Sequence, residues 1–169
     1  MLVGGSDDRL IVRMGACSQI GELTFGAEAR IPAVRNRNAI LRIWESGLTI
    51  DVENLGVDFE VPWSELSYAG LRIGPGTFWF WEFEQRGDDS VQCAVVATVG
   101  PDSLGTDEGP RAPKALHHIS QRIEVEYFPS SLGGEPFEVR RLHAGVESGP
   151  EYLARPRATY LADRIIEPS

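Results

Sequence analysis

Five aromatic side chains fall between Phe78 and Phe83, namely Phe78, Trp79, Phe80, Trp81 and Phe83, and no other stretch restricts the fold as strongly. Gly74-Pro75-Gly76 precedes the run and Gly87-Asp88-Asp89 closes it, so the segment has the length of one strand with turns at both ends. Alternation puts Trp79, Trp81 and Phe83 on one face, and Phe78 and Phe80 with Glu82 and Glu84 on the other. A buried Phe or Trp removes about 150–250 Å² from water, which makes this strand a dominant hydrophobic element. The expectation is that one face lies in the core of a barrel and the other beneath the C-terminal segment. The alternative is a ligand pocket lined by Trp79, Trp81 and Phe83, with Glu82 or His143 as its polar group.

Val91–Val99, rich in valine and alanine, supplies the second strand of a hairpin turned at Gly87-Asp88-Asp89. Upstream, Ala39–Trp44 and Leu48–Val52 flank a turn at Ser46-Gly47, and Val57–Val61 alternates until Pro62 stops it. Residues 39–61 therefore read as a three-stranded meander. In its middle strand Leu48, Ile50 and Val52 share one face while Thr49 and Asp51 share the other. Leu10–Met14 reads as a short strand, and Gly15, Gly21 and Gly26 divide the next stretch of chain into pieces too short for a helix.

Three prolines and two glycines in residues 101–113 mark an exposed loop. A helix is expected from Pro113, with Leu116, Ile119 and Ile123 on one side, because proline is tolerated in a first turn. The period then changes to two, giving a strand up to Phe128. Phe137–Leu142 forms a last strand, and 151–166 is weakly helical but broken at Pro156. The chain is thus expected to be a single mainly β domain over 1–169. It is a small antiparallel β-barrel or sandwich with one or two short helices in its C-terminal part, and residues 143–169 pack on the barrel or are partly flexible.

Gly47-Leu48-Thr49-Ile50, with Val61-Pro62-Trp63-Ser64-Glu65-Leu66 after it, resembles bacterial pleckstrin-homology-like and GRAM-like domains over residues 40–73. The resemblance implies a strongly bent antiparallel barrel with a short corner at Trp63–Leu66 and a closing helix, and it brings no catalytic residue. Members of that family that bind phosphoinositides use basic loops. Residues 43–73 hold one arginine against six acids, so the lipid-binding property does not carry over.

The whole chain carries a formal charge of −9, a repulsive field for nucleic acid and anionic membranes. The excess is concentrated in residues 43–110, which hold 13 acids against two arginines. That distribution gives the leading functional reading. It is a non-catalytic binding module that engages a basic protein partner, with Asp51, Glu53, Asp58, Glu60 and Glu65 as rim charges. A sharper form of it is an immunity or inhibitor protein neutralising a basic toxin or nuclease. The reading from another class is a β-barrel enzyme or small-molecule carrier using the aromatic pocket.

No cofactor, metal or catalytic set is expected. His117 and His118 are adjacent, so they point apart, and His143 has no HxxxH companion. Gly145–Gly149 misses the GxSxG spacing, and the glycine-rich pieces lack a GK[ST] ending. Glu82 and Glu84 could pair as acid and base from one strand face, but the stronger reading is that they keep one edge of the strand soluble. Cys17 and Cys93 form no CxxC and suit a reducing cytoplasm. The apolar run Leu10–Val12 is cut by Arg13, so neither a signal sequence nor a membrane span is expected.

Overall fold

The computed structural model describes residues 3–24, 34–52, 56–73, 78–99, 111–129 and 137–153. In chain order these residues form β1 (Leu10–Thr24), β2 (Val34–Trp44), β3 (Gly47–Val52), β4 (Gly56–Pro62), a 3-10 turn (Trp63–Glu65), β5 (Tyr68–Ile73), β6 (Phe78–Arg86) and β7 (Ser90–Val99). Next come α1 (Arg111–Arg122), β8 (Val125–Phe128), β9 (Phe137–His143), β10 (Val146–Glu147) and β11 (Glu151–Leu153). The strands make one strongly curled half-barrel sheet in the order β4-β3-β2-β1-β7-β6-β5-β8-β9, with β10 and β11 both on the far edge of β9. Among the described strands every pairing is antiparallel except β5 with β8. The mainly β expectation holds, with one short helix among the described residues.

β1 is the hinge of the curl. One of its edges pairs with β2 and the other with β7, with Gly15 opposite Ile40 of β2 and Gly21 opposite Cys93 of β7, so the ladder to one neighbour carries the strand through each glycine. Those glycines read locally as breaks, but pairing with a neighbouring strand overrides that preference. Register shifts in the β1–β2 pairing fall at Leu10/Val12 and Ser18/Ile20, irregularities of the kind that bend a strand. The meander runs as expected through β2, β3 and β4. A bulge between Ile50 and Asp51 pairs Ile50 with Phe59 but Asp51 with Val57, leaving Asp58 as the extra residue.

The inner face of the sheet closes on α1. Leu41, Ile43, Leu48, Ile50, Val61, Leu71 and Val96 are fully buried there together with Trp81 and Phe83. From the helix, Ala112, Ala115 and Ile119 are fully buried in the same cluster. Two alanines on the helix let its backbone approach a sheet that already presents large rings. The helix begins two residues before Pro113, at Arg111. Proline at the third position still lies in the first turn, where its missing N–H costs no intrahelical bond. Residues 101–110 of the expected loop lie outside the described residues, and its last residues, 111–113, are helical.

Ala144 N–H donates to the Ser120 carbonyl at 2.9 Å and closes the end of α1. Ala144 and Gly145, at φ 51° and 79°, form the two-residue turn between β9 and β10. Such positive φ values at both positions match the twist of a hairpin. Glu151–Leu153, expected as the start of a weak helix, instead pairs with Val139, Glu138 and Phe137 as β11. An open strand edge on β9 supplies more hydrogen bonds than a short helix interrupted by Pro156 could. Residues 154–169 lie outside the described residues.

Candidate functional site

The structure divides the five expected rim acids. Asp51 is half-buried on the outer face of β3, where Arg42 Nη1 donates to its Oδ2. Glu60 Oε1 accepts the Val3 backbone N–H at 2.7 Å, so this carboxylate ties the N-terminal turn onto the sheet. Glu65, in the 3-10 turn, is exposed and accepts Gln85 Nε2 at 3.5 Å. Glu53 lies outside the described residues, and for Asp58 only the backbone position in β4 is described.

The exposed acids that accompany Glu65 come from elsewhere. Asp88 and Asp89 are exposed in the β6–β7 turn, and Glu22 is exposed on β1. Glu22 pairs opposite Gln92, and Gln92 opposite Gln85, so the four carboxylates gather at one end of the sheet. Arg86 is exposed in the same hairpin. The composition of residues 43–110 pointed to this region. It could not show which acids the fold spends internally, or that Glu22 joins from outside it.

The aromatic strand serves the interior. Trp81 and Phe83 are fully buried, with ring centroids 5.7 Å apart and planes 9° apart, and Trp79 is 8% exposed in the same cluster. Glu82 points to the opposite face, and His143 is exposed at the end of β9. The five residues grouped as a pocket therefore do not converge. Alternation separates Glu82 from the rings, and β9 lies three strands from β6.

A polar cluster crosses the outer face of β6, β5, β8 and β9. Its centre is Gly70, opposite Glu82 on one side and Glu126 on the other. The Tyr68 ring lies over Gly70, where an added Cβ would come within 2.5 Å of the phenol oxygen. From there Tyr68 Oη donates to Glu126 Oε2 at 2.9 Å. Arg72 Nε lies 3.7 Å from Glu82 Oε1. Arg141 approaches Glu126 at 3.7 Å and donates to Glu151 Oε2 at 2.5 Å. Burial, and then the charges of Glu126, Glu82 and Glu84, push the Tyr68 phenol far above its ordinary value. Its hydroxyl is a donor that stitches parallel β8 to β5.

The tyrosine-to-glycine spacing on alternate positions of one strand is the signal that could have marked this cluster, but its partner Glu126 is 58 residues away. Gly70→Ala is expected to displace the ring from Glu126 and cost about 1.5–3 kcal/mol, the range for a hydrogen bond to a charged group. Urea denaturation of the variant measures it.

The turn before β1 and the helix clasp the other half of the sheet. Asp8 accepts the Ser46 hydroxyl, the Ser46 N–H at 3.2 Å and the Gly4 N–H at 2.9 Å. Burial alone would raise the Asp8 carboxyl, but these hydrogen bonds outweigh it and hold the group below its ordinary value. Trp63 Nε1 donates to the Glu45 carbonyl at 2.9 Å, and His118 of α1 stacks obliquely on Trp63 at 6.0 Å.

His118 is held below its ordinary value by burial first, then by Arg122 and His117, against the opposing effects of the Trp44 backbone and Glu45. A lowered folded value means the unfolded chain binds more protons. The contribution is therefore present above the unfolded value of about 6.5 and is lost as pH falls through the folded one. The urea midpoint of the wild type is expected to drop between pH 7.5 and 5.5 (about one pH unit on either side of that value), and His118→Gln should flatten the profile.

Among the described residues no group of three or more His, Cys, Asp or Glu is arranged to hold a metal. No described helix is long and apolar enough to cross a membrane. Cys17 is exposed and Cys93 is buried, and they are not joined in a disulfide.

No family model matches the chain, and no solved structure matches it. Among curated proteins it is similar to the 3-hydroxy-3-methylglutaryl-coenzyme A reductase of Gibberella fujikuroi, 30% identical over 125 residues that cover 65% of this chain and 10% of that protein. The chain thus spans about a tenth of the length of the curated relative it matches.

Proposed function

We propose that the chain is a non-catalytic binding module on a pleckstrin-homology-like sheet, and that it engages a basic protein partner through its acidic end. The observation that carries this reading is the gathering of exposed Glu22, Glu65, Asp88 and Asp89 at the end of the sheet marked by the β6–β7 turn. The interior behind them is filled by Trp79, Trp81, Phe83 and the helix. Clustered charge of one sign speeds encounter with an oppositely charged protein and selects against wrong partners. The pleckstrin-homology-like part of the reading rests on the resemblance of residues 40–73. The similarity to a tenth of a reductase gives no residue here a role, and we assign the chain no reductase activity.

The test is capture of host proteins on the full chain, comparing wild type with the triple variant Glu65→Lys, Asp88→Lys, Asp89→Lys. These side chains are exposed, so each change is expected to alter stability by no more than about 0.5 kcal/mol. A basic protein retained by the wild type and lost by the variant is the expected result. Equal capture by both, or no basic protein in either, counts against the reading.

A further inference from the structure

The outer face of β7, β6, β5, β8 and β9, opposite α1, is buried over much of its area. Register sets Val95 opposite Glu82, Cys93 and Tyr68 on either side of Glu84, and Phe128 opposite Arg72. Val91, Cys93, Val95, Phe128 and Val139 are buried, yet none belongs to the cluster shared by the inner face and α1. Glu82 and Glu84 are only 4% and 2% exposed. Every described strand lies in the sheet, and the described helix packs on its inner face. The burial occurs within a single chain, so the outer face is covered by this chain itself, from stretches outside the described residues.

Buried carboxylates are retained where opposite charge and hydrogen bonds balance them. Residues 1–2, 53–55, 74–77, 100–110 and 130–136 contain no Lys or Arg, and 25–33 contains only Arg30. Residues 154–169 contain Arg155, Arg157 and Arg164. In the same segment Ala158, Leu161, Ala162 and Ile165 follow the i, i+3, i+4, i+7 spacing of an apolar helical stripe. The segment begins after β11, at the edge of the same half of the sheet. β11 lies four strand spacings from β6 by way of β9, β8 and β5, about 19 Å. The 16 residues from 154 to 169 reach about 24 Å as helix and about 53 Å extended, so either form spans the face.

We propose that residues 154–169 fold back across the outer face as the layer that buries it, laying apolar side chains on Val95, Phe128 and Val139 and setting arginines against Glu82 and Glu84. Charge complementarity selects this segment over the others, and its apolar stripe suits the apolar part of the face. The inference stands apart from the binding reading and goes beyond it. It takes Glu82 and Glu84 out of the acidic surface and leaves the exposed Glu22, Glu65, Asp88 and Asp89 as the acids a partner meets.

Cys93 reports on the cover, because it is buried on the outer face while Cys17 is exposed. In the full chain Cys93 should alkylate slowly in the wild type and at least about tenfold faster in the triple variant Arg155→Glu, Arg157→Glu, Arg164→Glu, since protection follows the free energy of local opening. The variant Arg155→Lys, Arg157→Lys, Arg164→Lys keeps the charge and should keep Cys93 protected. Cys93 that stays slow in the Glu variant, reacts as fast in the Lys variant as in the Glu variant, or is released instead by Arg30→Glu would overturn the proposal. If the Glu variant does not fold, the Lys variant decides. Lys114 is the one native lysine, so carbodiimide links from the introduced lysines are readily mapped. A link to Glu82 or Glu84 within one chain supports the proposal, and its absence overturns it. None of these readouts involves a partner, so their failure leaves the acidic-end reading to its own capture test.

Discussion

Trp81→Ala is expected to remove about 3–5 kcal/mol of stability, the range for truncating a buried Phe or Trp in a packed core. Trp81 is fully buried, its ring stacks on Phe83, and it belongs to the cluster that includes Ala112, Ala115 and Ile119 of α1. Its removal opens a cavity between sheet and helix that neither side can close, because both are fixed by backbone hydrogen bonds. Phe78→Ala, three residues away on the outer face and 46% exposed, should lie within about 0.5 kcal/mol of wild type. Urea unfolding of both variants checks the pair. A small loss for Trp81→Ala would mean that its ring lines a space already open to solvent, as a carrier would require.

Gly47→Ala should be the most damaging small substitution. A Cβ on Gly47 would lie 2.2 Å from the Val61 carbonyl oxygen, 2.8 Å from Pro62 Cα and 2.9 Å from a methyl of Val3. Two of those atoms are backbone, so the neighbours cannot swing aside. The change forces β4 away from β3 and loosens the N-terminal turn held at Glu60. The cost is expected to reach or exceed the upper end of the roughly 1–3 kcal/mol for overpacking. Gly15→Ala is the control. With open space over it and ordinary strand backbone, alanine there should be neutral or stabilising by up to about 1 kcal/mol. Thermal or urea unfolding of the two variants should show opposite signs, and equal losses would contradict the close approach at Gly47.

The meander was legible because each strand alternates and ends at a turn residue. Leu48, Ile50 and Val52 face the core as their spacing required. The aromatic strand was legible as a strand, and its period of two assigned Trp79, Trp81 and Phe83 to one face. That this face is core and not pocket depends on α1, which approaches it from sequence positions about 30 residues later.

Other features depend on pairings no local pattern encodes. β1 runs through Gly15 because β2 pairs with it there, and through Gly21 because β7 does. β8 joins β5 in parallel through residues 56 apart, and Tyr68 needs Glu126 for its hydrogen bond. The acids were visible as a local excess. Asp51 and Glu60, however, are absorbed by Arg42 and by Val3, and Glu22 reaches the acidic end only because β1 lies beside β7.

The central claim, that the acidic end steers a basic protein onto this module, is tested most directly by the association rate of the captured partner as a function of ionic strength. Rim charges act mainly on encounter. The expected result is an association rate that falls steeply as salt is raised while dissociation changes little, with a flattened salt dependence in the Glu65→Lys, Asp88→Lys, Asp89→Lys variant. An association rate indifferent to salt, or one that falls equally for wild type and variant, would contradict it.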